Sequence, residues 1–230
     1  MELSASINQK PIGIRTRLDV LKRHHPLCGE RLLEIGCGNG DYSAALRGNF
    51  GLVVATDLLW AELPLAKSQC LDVVQTSASA LPFPAETFDV VLAVEVLEHV
   101  ASVEDVCRDI GRVLRPGGVF CFTSPNRWFP FETHGVRMHG SYRPGRHFPG
   151  LPYLPPLHRR ISYARNFKAK DLRSLLTGLG FVETATDYVP LPFDSWERGR
   201  RYIKPLLGLA GKGPFRIVSS VSVAGVYRKV

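Results

Sequence analysis

Read only for apolar and polar positions, the first 125 residues alternate between short apolar runs and stretches of helical period. The apolar runs are Arg31–Ile35, Leu52–Thr56, Asp72–Thr76, Phe88–Val94 and Val119–Thr123. Runs this short and this continuous read as strands buried on both faces, as in a parallel sheet covered by helices. Between them, Asp41–Arg47 and Trp60–Gln69 read as helices. Val103, Val106, Ile110, Val113 and Leu114 fall on one face of a further helix, with Ser102 as its N-cap and Asp105 in its first turn. That helix stops before Pro116-Gly117-Gly118. Residues 14–25 make a short amphipathic helix ahead of the first strand. Strand–helix alternation of this kind predicts right-handed βαβ units.

Residues 126–165 break the rhythm: they are rich in Pro, Gly, Arg, His and aromatics and show no period. A loop this long in a compact domain is functional or disordered, and its aromatic density argues against disorder. Beyond it come a helix over Ala169–Leu179 ending at Gly180, a strand over Phe181–Val189, a helical stretch over Glu197–Leu209 interrupted by Pro205, and a last strand over Ile217–Arg228 paired with Phe181–Val189. The expectation is one domain over residues 1–230, a doubly wound, mostly parallel, seven-stranded α/β sheet. Its ligand-binding core spans 31–125, and the insertion over 126–165 covers a second binding site.

Composition sharpens this picture in two places. The net charge of +8 is uneven: residues 1–125 hold 11 Lys/Arg against 15 Asp/Glu, and residues 126–230 hold 18 against 6. The basic second half suits an anionic partner or a membrane surface, or else simply keeps the protein soluble. The five cysteines form no CxxC and no cluster with metal-ligand spacing, so they read as buried thiols and no metal is expected. The first residues lack the apolar run of a signal peptide, and no apolar run approaches bilayer length, so a cytoplasmic location is expected.

The chemistry centres on Glu34-Ile35-Gly36-Cys37-Gly38-Asn39-Gly40, a glycine turn between a strand and a helix. The dinucleotide fingerprint needs a wider second spacing, and a P-loop needs Gly-Lys-Ser/Thr. Neither is met, and an acidic residue before the turn disfavours a diphosphate and suits a cationic ligand. Asp57 ends the second strand, where a carboxylate can accept both hydroxyls of a ribose.

These segments, together with Val53–Asp57, Ala80–Val91, Val96–Val100 and Val113–Gly118, resemble the class I S-adenosylmethionine-dependent methyltransferases, including those of quinone biosynthesis. The resemblance implies a Rossmann-like fold and S-adenosyl-L-methionine as cofactor. It implies that Glu34, Gly36 and Gly38 line the methionine end of the cofactor, with Cys37 and Gly40 also among the cofactor-binding residues, that Asp57 binds the ribose, that Leu58, Ser77 and Ala78 flank the adenine, and that Val94 and Glu95 border the sulfonium. The family usually carries an acidic residue where Ser77 stands. His99 lies in the matched Val-Leu-Glu-His-Val stretch.

The acceptor side is expected after the fifth strand, at the carboxyl end of the sheet. His134 and His139 there, with His99, are the candidate bases; surface or loop histidines are the competing reading. Trp128, Phe129 and Phe131 can cover an apolar acceptor, and Arg127, Arg137, Arg143 and Arg146 can hold its anionic groups. The expected reaction is methylation of a hydroxyl on a small phenolic, lipid or sugar acceptor, with peripheral membrane contact and no stable nucleic-acid partner. The alternatives are a nucleic-acid methyltransferase and a non-catalytic protein that retains the fold.

Overall fold

The computed structural model describes residues 11–69, 71–138, 140–144, 148–190 and 213–230. Helix α1 (Pro11–Lys22) precedes strand β1 (Gly29–Ile35), helix α2 (Asp41–Leu46), strand β2 (Phe50–Asp57), helix α3 (Leu63–Ser68), strand β3 (Asp72–Gln75), strand β4 (Phe88–Val94), helix α4 (Val103–Val113) and strand β5 (Leu114–Pro125). A lobe follows with the hairpin β6 (Val136–Met138) and β7 (Ser141–Arg143) and helix α5 (Pro155–Ile161). Helix α6 (Ala169–Gly178), strand β8 (Phe181–Pro190), helix α7 (Gly213–Ser219) and strand β9 (Ser220–Lys229) complete the described chain.

Seven strands form one sheet in the order β3-β2-β1-β4-β5-β9-β8. The first five run parallel, and β9 pairs antiparallel with both β5 and β8. The order reverses between β1 and β4, which opens a crevice at the carboxyl ends of those strands. Successive side chains of a strand serve opposite faces. Leu32, Val90, Leu92 and Cys121 pack toward α1 and α2, whereas Leu33, Val91, Ala93 and Phe120 pack toward α4 and α6. This two-sided burial is why the sequence reads as unbroken apolar runs.

Element ends differ from the sequence reading at defined points. Helix α1 begins at Pro11 and ends at Lys22. Helix α3 starts at Leu63, not Trp60, with a proline in its first turn, where a missing N–H costs nothing. Helix α4 stops at Val113 because Leu114 is already extended (φ −71°, ψ 137°). Strand β5 starts there, and the Pro-Gly-Gly segment is absorbed as a bulge between the Phe88–Leu114 and Val90–Val119 pairs. Ile217 and Val218 belong to α7 rather than to the last strand. The helical stretch expected over Glu197–Leu209 lies outside the described residues.

The segment without period is ordered by long-range contacts. Asn126 donates its side-chain N–H to the carbonyls of Ile217 (2.6 Å) and Ser220 (2.9 Å). Bridges Asn126–Phe167 and Val136–Ser162 close the lobe on itself.

Candidate active site

The glycine turn leaves β1 with Gly36, Gly38 and Gly40 all at positive φ (65°, 52° and 84°), a backbone region that glycine enters at little cost. A Cβ on Gly36 would stand 2.6 Å from the Val96 side chain, so this residue must be glycine for steric as well as conformational reasons. The Cys37 N–H donates to the Thr56 carbonyl (2.9 Å), and the Gly38 N–H donates to Asp57 Oδ2 (2.9 Å). The other Asp57 oxygen accepts from the Leu59 N–H (2.9 Å). One carboxylate thus fixes both the turn and the end of β2, and each of its oxygens keeps a further lone pair for a ligand.

These elements wall a cavity of about 480 Å³. Gly36, Cys37, Gly38 and Asp57 line one side; Leu58, Ser77 and Ala78 line a second; Val94, Glu95, His99 and His134 close the far end. Glu34 and Gly40, expected on the ligand wall, do not line the cavity. Glu34 is 1% exposed, and its carboxylate accepts from both the backbone N–H and the hydroxyl of Ser43. It satisfies an orphan donor in the first turn of α2, whose N-cap, Gly40, has no side chain to do so. Burial raises the Glu34 pKa to about 8 against the lowering effect of those bonds. Cys37 is buried, and burial together with the Glu34 and Asp57 charges pushes its thiol far up, so it is no thiolate nucleophile. Cys28 is exposed, contrary to the reading of every cysteine as buried.

At the far end, Glu95 sits at φ 55°, a left-handed conformation unusual for a side chain of this size. Its Oε1 accepts from Arg17 Nε (3.3 Å) and from the Thr123 hydroxyl (2.8 Å). Burial opposes ionisation of Glu95, but the Arg17 and His134 charges outweigh it, and its pKa is lowered. Arg17 belongs to α1, which lays Ile14 along the same cavity.

One turn on, the Glu98 side chain is fully buried, and neither of its oxygens has a hydrogen-bond partner. His134 Nε2 lies 3.4 Å from Glu98 Oε1, and the rings of His134 and His99 meet edge to face at 5.0 Å. Burial pushes Glu98 up to about 7. Burial would lower His134, yet the Glu98 carboxylate, with Glu95 and Glu132 behind it, leaves it raised. Glu98 and His134 thus face each other as a buried acid–imidazole pair. Partial burial and the His134 charge lower the pKa of His99, which lines the cavity.

His134 is held from behind. Glu132 Oε1 accepts the His134 N–H (2.9 Å), and Glu132 Oε2 meets His158 Nε2 at 2.5 Å. His158 is 5% exposed and also contacts Asn166 (3.1 Å). His134 and His99, 35 positions apart, are thus brought together, while His139 and Arg146 lie outside the described residues. The sequence reading missed Arg17, Glu98, Glu132 and His158. Only Glu98 carried a local signal, an acid within an otherwise apolar Val-Leu-Glu-His-Val stretch.

The carboxylates of Asp41, Asp57, Glu62 and Glu95 all line the cavity, and its only basic wall residues among those described are the two histidines. This donor set fits a ligand that is cationic at one end and carries a ribose, and it opposes phosphate. Comparison with known proteins agrees. A model described as a methyltransferase domain matches residues 33–122. The ubiquinone biosynthesis O-methyltransferase of Brucella ovis is 32% identical over 182 residues, covering 76% of this chain and 70% of that protein. An S-adenosylmethionine-dependent methyltransferase from Mesorhizobium loti shares the fold, with TM-score 0.66 at 17% identity over 93% of this chain and 98% of that one. So does phosphoethanolamine N-methyltransferase 2 of Haemonchus contortus in complex with S-adenosyl-L-methionine, with TM-score 0.63 at 18% identity over 94% of this chain and 52% of that one. The chain belongs to the class I S-adenosylmethionine-dependent methyltransferases and is an enzyme that uses S-adenosylmethionine as its methyl donor.

Proposed function

We propose that the enzyme methylates a hydroxyl of a small, apolar-bodied acceptor of the phenolic type that the names of its Brucella relatives suggest. The observation that carries this reading is the Glu98–His99–His134 cluster at the end of the cavity opposite Asp57. Bound S-adenosylmethionine supplies an electrophilic methyl group, which a neutral hydroxyl attacks poorly unless its proton is drawn away. The Glu98 carboxylate 3.4 Å from His134, with the His99 ring packed on that of His134, gives this cluster groups that can accept the proton. In this reading Gly36, Gly38 and the Asp57 carboxylate grip the donor, Leu58, Ser77 and Ala78 flank its base, and Glu95, ion-paired to Arg17, stands by its cationic centre. Glu34 and Gly40 act indirectly, by fixing the turn. Alignment of hydroxyl and methyl, with water excluded, supplies the rest of the rate.

A lipid-like acceptor drawn from an anionic membrane surface, with the enzyme in the cytoplasm, is the finer form of this reading. Trp128, Phe131, Tyr142, Tyr153 and Leu154 are exposed on the lobe. Arg137, Arg143, Arg159 and Arg160 are exposed around them. No helix among the described residues is long and apolar enough to cross a membrane.

The test is product analysis with methyl-labelled donor and a catechol carrying a pendant primary amine. The expected product is the O-methyl ether. Label on the amine alone, or only on added RNA, would overturn the assignment.

A further inference from the structure

His134 stands on a part of the lobe that has no helix or strand of its own: residues 132–135, between the Phe131–Pro149 bridge and β6. Its neighbours Glu98 and His99 belong to the core, 36 and 35 positions away in sequence. A segment of this kind samples many backbone states unless other groups fix it. Something must therefore set where the imidazole points, since a displacement of about 1 Å at a reacting group costs about 10²-fold in rate.

Two buried groups stand behind the histidine. The Glu132 side chain is fully buried, and His158, on α5, is 5% exposed. Neither lines the cavity. One Glu132 oxygen accepts the His134 N–H (2.9 Å), and the other meets His158 Nε2 (2.5 Å). A carboxylate only accepts, so that nitrogen of His158 carries a proton. Burial opposes the Glu132 charge, but the bonds from His158 and from the His134 N–H outweigh it, and its pKa is lowered. His158 is fixed in turn: its N–H donates to the Leu154 carbonyl and its carbonyl accepts from the Ser162 N–H, both at 2.8 Å. The peptides that follow are tied as well. The His134 carbonyl accepts from the Tyr142 hydroxyl (3.3 Å), and the Gly135 carbonyl accepts from the Tyr163 N–H (3.3 Å). A buried acid–imidazole pair stabilises a fold little compared with apolar residues of the same volume. Its bond to the His134 backbone gives it another use.

From this geometry we infer that Glu132 and His158 are positioning residues: together they set the His134 backbone so that its ring stands against Glu98 and His99 at the end of the cavity. The inference deepens the reading of His134 as a group that draws off the acceptor's proton, and rests on it. Glu132 and His158 touch neither donor nor acceptor. They act through His134 alone, by holding its peptide to α5 and so sparing the reaction the cost of ordering it.

The test is a double-mutant cycle on the full chain, read as kcat for O-methylation of the catechol with a pendant amine and as calorimetric affinity for S-adenosylhomocysteine. Glu132→Ala should lower kcat by about 10²-fold and leave that affinity within about twofold of wild type. In the His134→Ala background it should lower kcat no further, because the group it positions is gone. Glu132→Gln keeps an acceptor for the His134 N–H and a donor toward His158, and should hold kcat within about threefold of wild type. Should Glu132→Ala not fold, His158→Phe takes its place in the cycle. A second readout does not depend on catalysis. Carbethoxylation of His134 by diethyl pyrocarbonate, located by mass spectrometry, should run about tenfold faster in Glu132→Ala and His158→Phe, with the rate at His24 unchanged. Equal falls in kcat with and without His134, or unchanged labelling of His134 in both variants, would overturn the proposal and leave the hydroxyl reading standing. Unchanged turnover in His134→Ala would instead defeat the use of His134 in that reading, and the labelling rates alone would then decide whether the pair sets the place of the histidine.

Discussion

At the scale of single residues, Glu34 separates what a sequence signal suggests from what the fold does with the side chain. An acid before the glycine turn suggests a partner for a cationic ligand; in the structure it caps α2 beneath the turn. Its pKa, near 4.5 in an unfolded chain and about 8 when folded, carries a prediction. Below pH 4.5 both states hold the proton and stability is full. Between 4.5 and 8 only the unfolded chain releases it, so stability falls as pH rises, by up to about 1.4 kcal/mol per unit. Denaturant titrations from pH 5 to pH 8 should show this slope in the wild type and lose it in Glu34→Gln; equal slopes would contradict it. Asp57, by contrast, is both structural and exposed to the cavity, and its register with the glycine turn marks it from the sequence alone.

At the scale of elements, what was legible depended on whether the defining contacts are local. Strands β1, β2, β4 and β5 are buried on both faces, and their side chains announce it. The cap of α4 is also local: Ser102 accepts from the Asp105 N–H (3.2 Å), as its position before the apolar face indicates. Ser102→Ala should lower stability by about 1 kcal/mol, read as a fall in denaturant midpoint at unchanged slope; no fall would mean that the cap adds nothing. The lobe could not be read this way. Its order comes from Asn126 reaching Ile217, Glu132 reaching His158 and His134 reaching Glu98, pairs separated by 91, 26 and 36 positions. No window of sequence contains such a pair. The same is true of α1, amphipathic in sequence, whose Arg17 meets Glu95 across 78 positions.

At the scale of the whole molecule, the charge asymmetry acquires a location. The acidic half supplies all of the cavity's lining residues but His134, and the basic half contains the lobe, with exposed aromatics among its arginines. Cosedimentation should show binding to vesicles rich in anionic lipid, weakened as salt rises past about 0.15 M because the attraction is screened. Equal binding to neutral vesicles would place the arginines among ordinary solvated charges.

The account as a whole turns on one cavity serving two tasks: donor binding around Asp57 and activation of the acceptor hydroxyl at Glu98, His99 and His134. The most direct measurement is the split between turnover and donor affinity in His134→Ala. The account predicts that kcat for O-methylation falls by about 10²–10⁴, while calorimetric affinity for S-adenosylhomocysteine stays within about twofold of wild type. Unchanged turnover, or loss of donor binding in step with activity, would contradict it.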